Sequence, residues 1–470
     1  MNRKYILIIA ATGMTSFLST YLTASLNLAL KIIGHEYSVN ASDLSLLTSL
    51  FLLFSSIFIV PFGKLSDSYG PKKTLLIGCI FFIVSNLLLI FFAHNFTSLL
   101  FFRSLQGIST AFLLVSNTPI LTLAIPKAHR ATAIGFSSGL IYFGTSSGNF
   151  IGGVLTEYFG WRSIFISAAI AASIAFIIIK KYVPDHQPEN SVSQRLDIPG
   201  VVFYALTLIL LQAGAANLHV LTGKLLLTAC LLSLILFINR QLRIDNPMYD
   251  VRLFMRNKVF AASNIAVLFS FIATYGSQYL LTLYLQCNRG LTAMEAGKIM
   301  LIQPLMQLFF SPLAGIISDK TSPSVVSSVG IGFIGIALFM LANLTGTTPY
   351  EYIYLSVFLS GIGISLFSAP NTTIILSSVA DNKKGMAAAS NSIMRNIGMQ
   401  TTMIVCGTAF LMVIGQVKGI PPESYDDMLV ATKICYSIFT VICLIGMGIS
   451  LIRKKSSGME TTFVHEVETV

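Results

Sequence analysis

Residues 63–73 read GKLSDSYGPKK and lie between two long apolar runs, SLFLLFSSIFIVPF at 49–62 and TLLIGCIFFIVSNLLLIFFA at 74–93. The short stretch holds two glycines, one acid and three lysines in a chain in which only 10% of the residues are charged. A related stretch, GIISDKTSP, occupies residues 315–323, again between apolar runs. The recurrence predicts two related units, each with a compact charged turn between two hydrophobic helices.

The composition indicates an integral membrane protein. Of the 470 residues, 54% are apolar and 10% are charged, whereas a soluble domain carries about 25% charged residues. So few charges could not cover the surface of a soluble protein of this size. The long continuous runs favour helices of roughly 20 residues over barrel strands of about 10 alternating residues. The net charge of +11 is typical of Lys and Arg held on the cytoplasmic side, rather than of nucleic-acid binding.

Fourteen membrane-spanning helices are expected. The first follows Met1-Asn2-Arg3-Lys4 and is too long for the core of a signal peptide, so we expect it to be retained. An even number of spans places both termini on one side of the membrane. The predicted spans are 5–30, 44–62, 74–94, 98–124, 131–155, 162–179, 198–217, 221–239, 259–286, 292–316, 324–344, 352–378, 385–414 and 431–452.

Lys and Arg residues predict the orientation of these spans. With both termini on the cytoplasmic side, 21 of these residues fall on that side and 7 on the other, in agreement with the positive-inside rule. Gly63 and Gly315, which open the two charged stretches, then lie on the same side of the membrane. Their spacing fits two six-helix halves separated by two extra helices. The expected divisions are an N-terminal bundle at 1–182, a linker with two helices at 183–258, a C-terminal bundle at 259–452 and a cytoplasmic tail at 453–470.

The charged stretch resembles the loop after the second helix in the major facilitator superfamily. The matching residues are Gly63, Asp67, Gly70, Lys72 and Lys73, while Ser68 and Pro71 stand where the family usually has basic residues. The second copy keeps Gly315, Asp319 and Lys320 and lacks the later glycine. We expect Gly63 and Gly70 to permit a tight turn. The resemblance implies a conformational latch, in which Asp67 fastens the two halves in the outward-facing state by binding the start of span 13, near residues 383–387.

Two further motifs resemble the same family. In span 4, Arg103, Gln106 and Gly107 resemble its arginine-containing signature. Span 5 resembles the glycine pattern of its exporters, with asparagine in place of the family's proline; the positions are Gly135, Gly144, Gly148, Asn149, Gly152 and Gly153. With fourteen spans, the chain resembles the drug:proton antiporter branch. The implied fold is an all-α polytopic membrane protein, a major facilitator fold of two six-helix bundles plus two inserted central helices.

Polar residues at helical spacing are candidates for the walls of a central cavity. Such residues are costly inside a membrane and usually face a cavity or another helix. The family resemblance places spans 1, 4 and 5, with their counterparts 9, 12 and 13, around that cavity. Taken singly, each residue is better explained by an interhelical hydrogen bond than by a ligand contact. The substrate-cavity candidates are Thr23, Asn27, Asn117, Tyr142, Tyr275, Tyr279, Gln303, Gln307, Asn391 and Arg395.

Acidic residues are informative by their absence. None of the 19 Asp and Glu residues lies in the middle third of a predicted span. Many fourteen-span relatives carry an acid in span 1, just before the segment matching Asn27, where this chain reads YLTASLN. The expected substrate is therefore a neutral or anionic amphiphile. The candidates for proton coupling are Arg103, Asp43 and Glu157.

Each charged candidate has a structural alternative. Arg103 and Arg395 could simply donate to helix carbonyl groups. Glu157 is better explained by a helix cap or by an ion pair with Arg162. Asp43 opens span 2, where an acid in the first helical turn is common.

The leading functional hypothesis is a secondary active transporter that exports amphiphilic drugs or metabolites by alternating access, coupled to protons. The alternatives are an uptake carrier or a lipid flippase on the same fold. A membrane enzyme is disfavoured, because the six histidines are scattered in loops and tails and no HExxH or P-loop motif occurs. We expect no cofactor and no metal, since we interpret the six cysteines as small, buried hydrophobic residues. The expected partners are an amphiphilic small molecule, protons and the lipid bilayer, without nucleic acid. The expected form is a monomer in the cell membrane with both termini in the cytoplasm.

Overall fold

Helices form almost all of the chain. The computed structural model describes residues 3–185, 197–218, 220–244, 247, 249, 251–379, 384–415 and 421–467, and no strand occurs among them. The first six helices are α1 (Arg3–Tyr37), α2 (Ala41–Tyr69), α3 (Pro71–Phe92), α4 (Phe96–Ala124), α5 (Lys127–Phe159) and α6 (Arg162–Tyr182).

Ten further α-helices follow within the described ranges. They are α7 (Ile198–Ala216), α8 (Leu221–Arg243), α9 (Val251–Arg256), α10 (Lys258–Leu283), α11 (Ala293–Met300), α12 (Ile302–Lys320), α13 (Pro323–Ala342), α14 (Tyr350–Ser377), α15 (Lys384–Ile414) and α16 (Tyr425–Val467). A π-helical turn, Tyr284–Asn288, extends α10, and a 3₁₀ turn, Pro422–Ser424, precedes α16.

The predicted all-α membrane fold is confirmed. Thirteen segments of the described chain are long and apolar enough to cross a membrane. The 33-residue α5, which is rich in glycine and serine, is not among them, yet it is long enough to span and packs along α1. The count therefore agrees approximately with fourteen.

Several helix boundaries differ from the prediction. Predicted span 10 is divided into α11 and α12, which meet at Leu301. The short helix α9 lies in a segment for which no helix was expected. The last helix continues beyond residue 452 to Val467. Polar residues such as Lys, Glu and Gln can form helix in water, so hydropathy alone does not mark the end of this helix.

Helix pairs within each half make the most extensive contacts. In the first half, α1 packs along α5, and α4 packs against both α2 and α3. In the second half, α13 packs against α14 and α16, while α10 packs against α15 and α16. The inserted helices α7 and α8 pack against each other, and α7 also contacts α2 and α15, one helix from each half. The inserted pair therefore bridges the two halves.

Candidate functional site

Glycines let α5 lie directly against α1. A Cβ atom on Gly148 would lie 2.7 Å from the carbonyl oxygen of Tyr21, and one on Gly152 would lie 2.6 Å from the Cα atom of Ser25. Gly144 packs on α1 in the same way. Real Cβ atoms do not approach backbone this closely, so any larger residue would push the two helices apart. This glycine face therefore sets the distance between two helices of the first half.

A second face of α5 contacts the other half. A Cβ atom on Gly153 would lie 2.8 Å from the carbonyl oxygen of Ala293, the first residue of α11. The Asn149 amide donates to the carbonyl oxygen of Met300 at 3.0 Å. Asparagine at this position thus joins α5 to the end of α11. The surroundings of Gly135 lie outside the described part of the chain.

A reciprocal pair of hydrogen bonds joins α1 to the π turn after α10. The Lys31 ammonium donates to the carbonyl oxygen of Gln286 at 2.7 Å, and the Gln286 amide donates to the carbonyl oxygen of Leu28 at 2.9 Å. These residues lie at the end of the bundle where α1 ends and α2 begins, which we call the α1–α2 end. The opposite end, where α2 meets α3, is the α2–α3 end.

Glu157 also connects the halves at the α1–α2 end. Its carboxylate accepts from the backbone N–H of Met294 at 3.0 Å, in the first turn of α11, where the helix dipole favours an anion. Of its two structural alternatives, the cap is present and the ion pair with Arg162 is wrong. Arg162 instead binds Glu36 at 2.8 Å, because α6 packs along α1 and carries Arg162 to the end of that helix.

The start of α2 contacts the second half as well. The Ser42 hydroxyl donates to the carbonyl oxygen of Gly407 in α15 at 3.0 Å. The Tyr279 hydroxyl in α10 donates to the carbonyl oxygen of Ala41 at 3.0 Å. Tyr279 is only 1% exposed, so this cavity candidate ties the halves together rather than facing open space.

Asp43 borders a small cavity at the α1–α2 end. The cavity lies between α2, α7 and α15, measures about 150 Å³ and is also lined by Gln212 and Thr408. The Asp43 N–H donates to the side chain of the N-cap residue Asn40 at 2.7 Å, which places Asp43 in the first turn of α2. Its carboxylate forms no ion pair with the described residues. Asp43 therefore opens α2 and also presents an unpaired acid to a cavity.

Arg103 is anchored inside the first half. Its Nε donates to the carbonyl oxygen of Leu47 at 3.2 Å, and its Nη1 donates to Gln106 at 2.7 Å. Gln106 donates in turn to Asn86 of α3 at 3.0 Å. Gly107 packs on the backbone of α2 and permits the close approach. These contacts join α4 to α2 and α3.

The polar candidates near α1 have different surroundings. Asn117 accepts from Thr15 at 2.7 Å and donates to Ser16 at 2.9 Å, so it joins α4 to α1. Asn27 is buried, and its Oδ1 has no hydrogen-bond partner among the described residues. Asn27 therefore presents an unused acceptor close to the contact with the second half.

Tyr275 of α10 lies against the first half. Its hydroxyl lies beside Thr23 of α1 and close to the Arg103 guanidinium of α4. Three predicted site residues from three helices are thus brought together. They lie on both sides of the boundary between the halves.

Predicted glutamines of α12 lie within the second half. Gln303 accepts from Gln278 and donates to Ser360, each at 3.4 Å. Gln307, one turn further along α12, is 8% exposed. Gln303 therefore joins α12 to α10 and α14.

Arg395 of α15 and Tyr142 of α5 belong to opposite halves and interact electrostatically. The Arg395 guanidinium forms no hydrogen bond or ion pair in the described chain, and its buried Nε has no partner. Asn391 lies one helical turn earlier and is half-buried. The structure thus places an uncompensated cation between the halves.

The charged stretch at the α2–α3 end differs in part from its prediction. Gly70 makes the turn with a φ of 92°. Pro71 begins α3 without the loss of a hydrogen bond, since the backbone N–H that proline lacks has no partner in the first helical turn. The expectation that Gly63 also supplies the turn is wrong, because α2 continues as helix to Tyr69. A Cβ atom on Gly63 would meet none of the described residues within 4 Å.

The charges of this stretch are only partly described. Lys72 binds Asp185 at 3.1 Å within the first half, and Lys73 is exposed. The Asp67 side chain and residues 380–383 lie outside the described residues, so the latch contact stays a prediction. In the second charged stretch, Gly315 lies within α12, which ends at Lys320. The Asp319 side chain is outside the described residues as well.

The family is decided by a match along most of the chain. The sequence profile of the Major Facilitator Superfamily matches residues 12–402. The chain belongs to the major facilitator superfamily. A bacterial homologue of the human lysosomal transporter Spinster, solved in an inward-facing, unoccupied conformation, superposes with a TM-score of 0.71 at 15% identity, covering 97% of this chain and 98% of the homologue. This superfamily fold and the polytopic helices identify the chain as a transporter rather than an enzyme.

Relatives within the superfamily are named for different transport functions. The riboflavin transporter RibZ of Clostridioides difficile is 28% identical, covering 95% of this chain and 97% of RibZ. The multidrug resistance protein Stp of Mycobacterium tuberculosis is 27% identical, covering 87% of this chain and 76% of Stp. The tetracenomycin C resistance and export protein of Streptomyces glaucescens is 25% identical over 82% of this chain and 72% of that protein.

The contacts of Lys31 and Glu36 do not follow from hydropathy. Span 1 is expected to end at residue 30, which places both residues in a loop, whereas α1 continues to Tyr37. The hydropathy falls at this point although the helix does not end. A helix of 35 residues exceeds the roughly 20 needed to cross a bilayer, so its last turns carry polar contacts.

Proposed function

We propose that the protein is a proton-coupled secondary exporter of neutral or anionic amphiphiles that works by alternating access. The observation that carries this proposal is the position of the hydrogen bonds between the halves. Those of Lys31, Asn149, Glu157, Ser42 and Tyr279 gather at the α1–α2 end. Halves that are joined at one end can rock about that contact and expose the interior at the other.

The proposed direction of transport is outward. Stp and the tetracenomycin protein are named for resistance and export, and the glycine face of α5 matches the exporter pattern at Gly144, Gly148 and Gly152. The distribution of Lys and Arg supports a cell-membrane protein with both termini in the cytoplasm. In that orientation, the α1–α2 end faces outward, and the interior is reached from the cytoplasm.

Proton coupling is proposed to act at the α1–α2 end. Glu157 accepts a hydrogen bond from α11 across the halves, and Asp43 lies beside the contact between α2 and α15. Protonation of Glu157 would weaken this cap, because a neutral acid is a poorer acceptor at a helix start. A proton from outside could therefore promote the opening of this end. Arg103, held by Leu47 and Gln106, is the third coupling candidate.

The second candidate function is uptake of a neutral heteroaromatic compound. RibZ, a riboflavin transporter, matches this chain over nearly the full length of both proteins. No Asp or Glu lies in the middle third of a predicted span, which suits a substrate without positive charge.

Proton flux in vesicles tests the proposal. Purified protein would be reconstituted with a pH-sensitive dye and exposed to matched cationic, neutral and anionic amphiphiles. The proposal predicts that neutral or anionic compounds dissipate an imposed pH gradient and cationic ones do not. Accumulation of riboflavin or translocation of lipid without proton movement would contradict it and support an uptake carrier or a flippase.

A further inference from the structure

Among the buried or half-buried arginines that the structure describes, Arg395 differs in having no hydrogen-bond or ion-pair partner. Arg103 has two acceptors and lies over the Phe51 ring at 4.5 Å. Arg162 binds Glu36, and Arg240 binds Asp197. The Arg395 guanidinium has no hydrogen bond or ion pair in the described chain.

The Arg395 guanidinium is only partly satisfied in this position. A guanidinium carries five N–H donors in a fixed planar fork. The Arg395 side chain is half-buried, and its Nε is buried without an acceptor among the described residues, which is unfavourable for a polar group taken out of water. Tyr142 is the electrostatic neighbour of Arg395, and its phenol supplies no charge. An acidic ligand group would supply the counter-charge to this guanidinium.

The location of Arg395 suits a ligand that passes between the halves. Arg395 belongs to α15 and Tyr142 to α5, so the two side chains come from opposite halves. Arg395 lies between the ends of α15, away from the cross-half contact that Gly407 makes near the end of the same helix. A ligand there would meet a cation from one half and an aromatic residue from the other.

We propose that Arg395 and Tyr142 form a binding site for an oxyanion attached to an aromatic or apolar body. The guanidinium binds the carboxylate, sulfonate or phosphate in bidentate fashion, and the body packs on the Tyr142 ring. This inference rests on the proposed function and narrows its substrate class to anionic amphiphiles. The oxyanion belongs either to a free compound or to an anionic lipid head group.

Binding in nanodiscs tests the site independently of transport. Full-length protein in phosphatidylcholine nanodiscs would be titrated calorimetrically with naphthalene-2-sulfonate and with the neutral naphthalene-2-sulfonamide. We expect the wild type to prefer the sulfonate, and Arg395→Gln to weaken sulfonate binding roughly 10- to 100-fold without changing sulfonamide binding, as expected for loss of a charge-assisted hydrogen-bonded pair. Arg395→Lys should bind with intermediate affinity. The matched control is Lys298→Gln, which removes an exposed cation on α11. This variant should bind as the wild type does.

Further measurements distinguish a free compound from a lipid head group, and failure of the Arg395 site from failure of the proposed exporter. Phosphatidylglycerol added to the nanodiscs should compete with the sulfonate in the wild type if the oxyanion belongs to a lipid, and should have no effect if it belongs to a free compound. Equal sulfonate affinity of the wild type and both Arg395 variants would overturn the site. If Arg395→Gln does not fold, a wild type that fails to prefer sulfonate over sulfonamide overturns it instead. Sulfonate binding without proton flux would retain the site and contradict the proposed exporter.

Discussion

At the scale of residues, Gly152 sets how closely two helices approach. A Cβ atom there would lie 2.6 Å from the Cα atom of Ser25 and 2.4 Å from the Cβ atom of the same serine. The same helix offers a contrast, since a Cβ atom on Gly139 would meet nothing within 4 Å in the described part of the chain. The two glycines share one helix and differ in what lies opposite.

Gly152→Ala should therefore destabilise the protein, whereas Gly139→Ala should not. Overpacking of this kind costs about 1–3 kcal/mol, and alanine in open space is neutral or slightly favourable for a helix. Thermal unfolding of both variants in the same detergent checks this. Equal melting temperatures for the two variants would refute the close contact between α1 and α5.

Single residues also show the limit of sequence patterns. Helical spacing identifies which residues share a face, and it singled out Arg103 and Arg395 as comparable cations. It does not show what lies opposite that face. Arg103 meets the carbonyl oxygen of Leu47 and the amide of Gln106, both in the first half, while Arg395 meets no acceptor among the residues that the structure describes. The difference depends on tertiary packing and required the structure.

At the scale of elements, a polar network fixes the base of the inserted pair. Asp197 caps α7 through the Gly200 N–H at 3.1 Å and accepts from Arg240 at 2.6 Å and Gln241 at 3.0 Å, both on α8. Burial by itself would raise the pKa of Asp197, but these donors and the Arg240 charge together hold the pKa below its ordinary value. The ionised carboxylate therefore stabilises the contact between α7 and α8.

Asp197→Asn should lower stability at neutral pH, by about 1–3 kcal/mol for loss of a charged hydrogen-bond acceptor. Because the folded pKa lies below the unfolded value of 3.8, the contribution is fully present above that value and is lost as the pH falls through the folded pKa. The melting temperatures of wild type and variant should thus converge below about pH 4. A constant difference down to pH 2 would contradict the assignment.

The α2–α3 turn is the second element with a specific expectation. Asp67 is proposed to latch the first half to the start of α15 when the interior faces outward, and removal of its charge should weaken that state. Asp67→Asn should therefore reduce transport while expression and folding are retained. Substrate efflux from vesicles, normalised to protein content, measures this. Wild-type efflux in the variant would exclude the latch.

At the scale of the whole molecule, much of the architecture could be predicted. Apolar runs of about 20 residues identify spans because backbone groups must be satisfied inside the bilayer, and the repeated charged stretch indicated the duplication. The division of predicted span 10 at Leu301 and the continuation of α1 to Tyr37 could not be predicted, since hydropathy marks where a chain crosses lipid rather than where a helix ends. Contacts such as Lys31 with Gln286 join residues far apart in sequence, and no local pattern encodes them.

The central claim is that the halves must separate at the α1–α2 end during transport. Ser42 lies against Gly407 and lines the same cavity as Thr408, so Ser42→Cys with Thr408→Cys could be joined by a short, reducible thiol cross-linker. The matched control joins Glu36→Cys to Arg162→Cys, two positions within the first half. The measurement is efflux from vesicles before cross-linking, after it and after reduction. We predict that linking the halves lowers efflux to that of empty vesicles and that reduction restores it, while the control pair transports throughout. Undiminished efflux with the halves covalently joined would contradict alternating access in this protein.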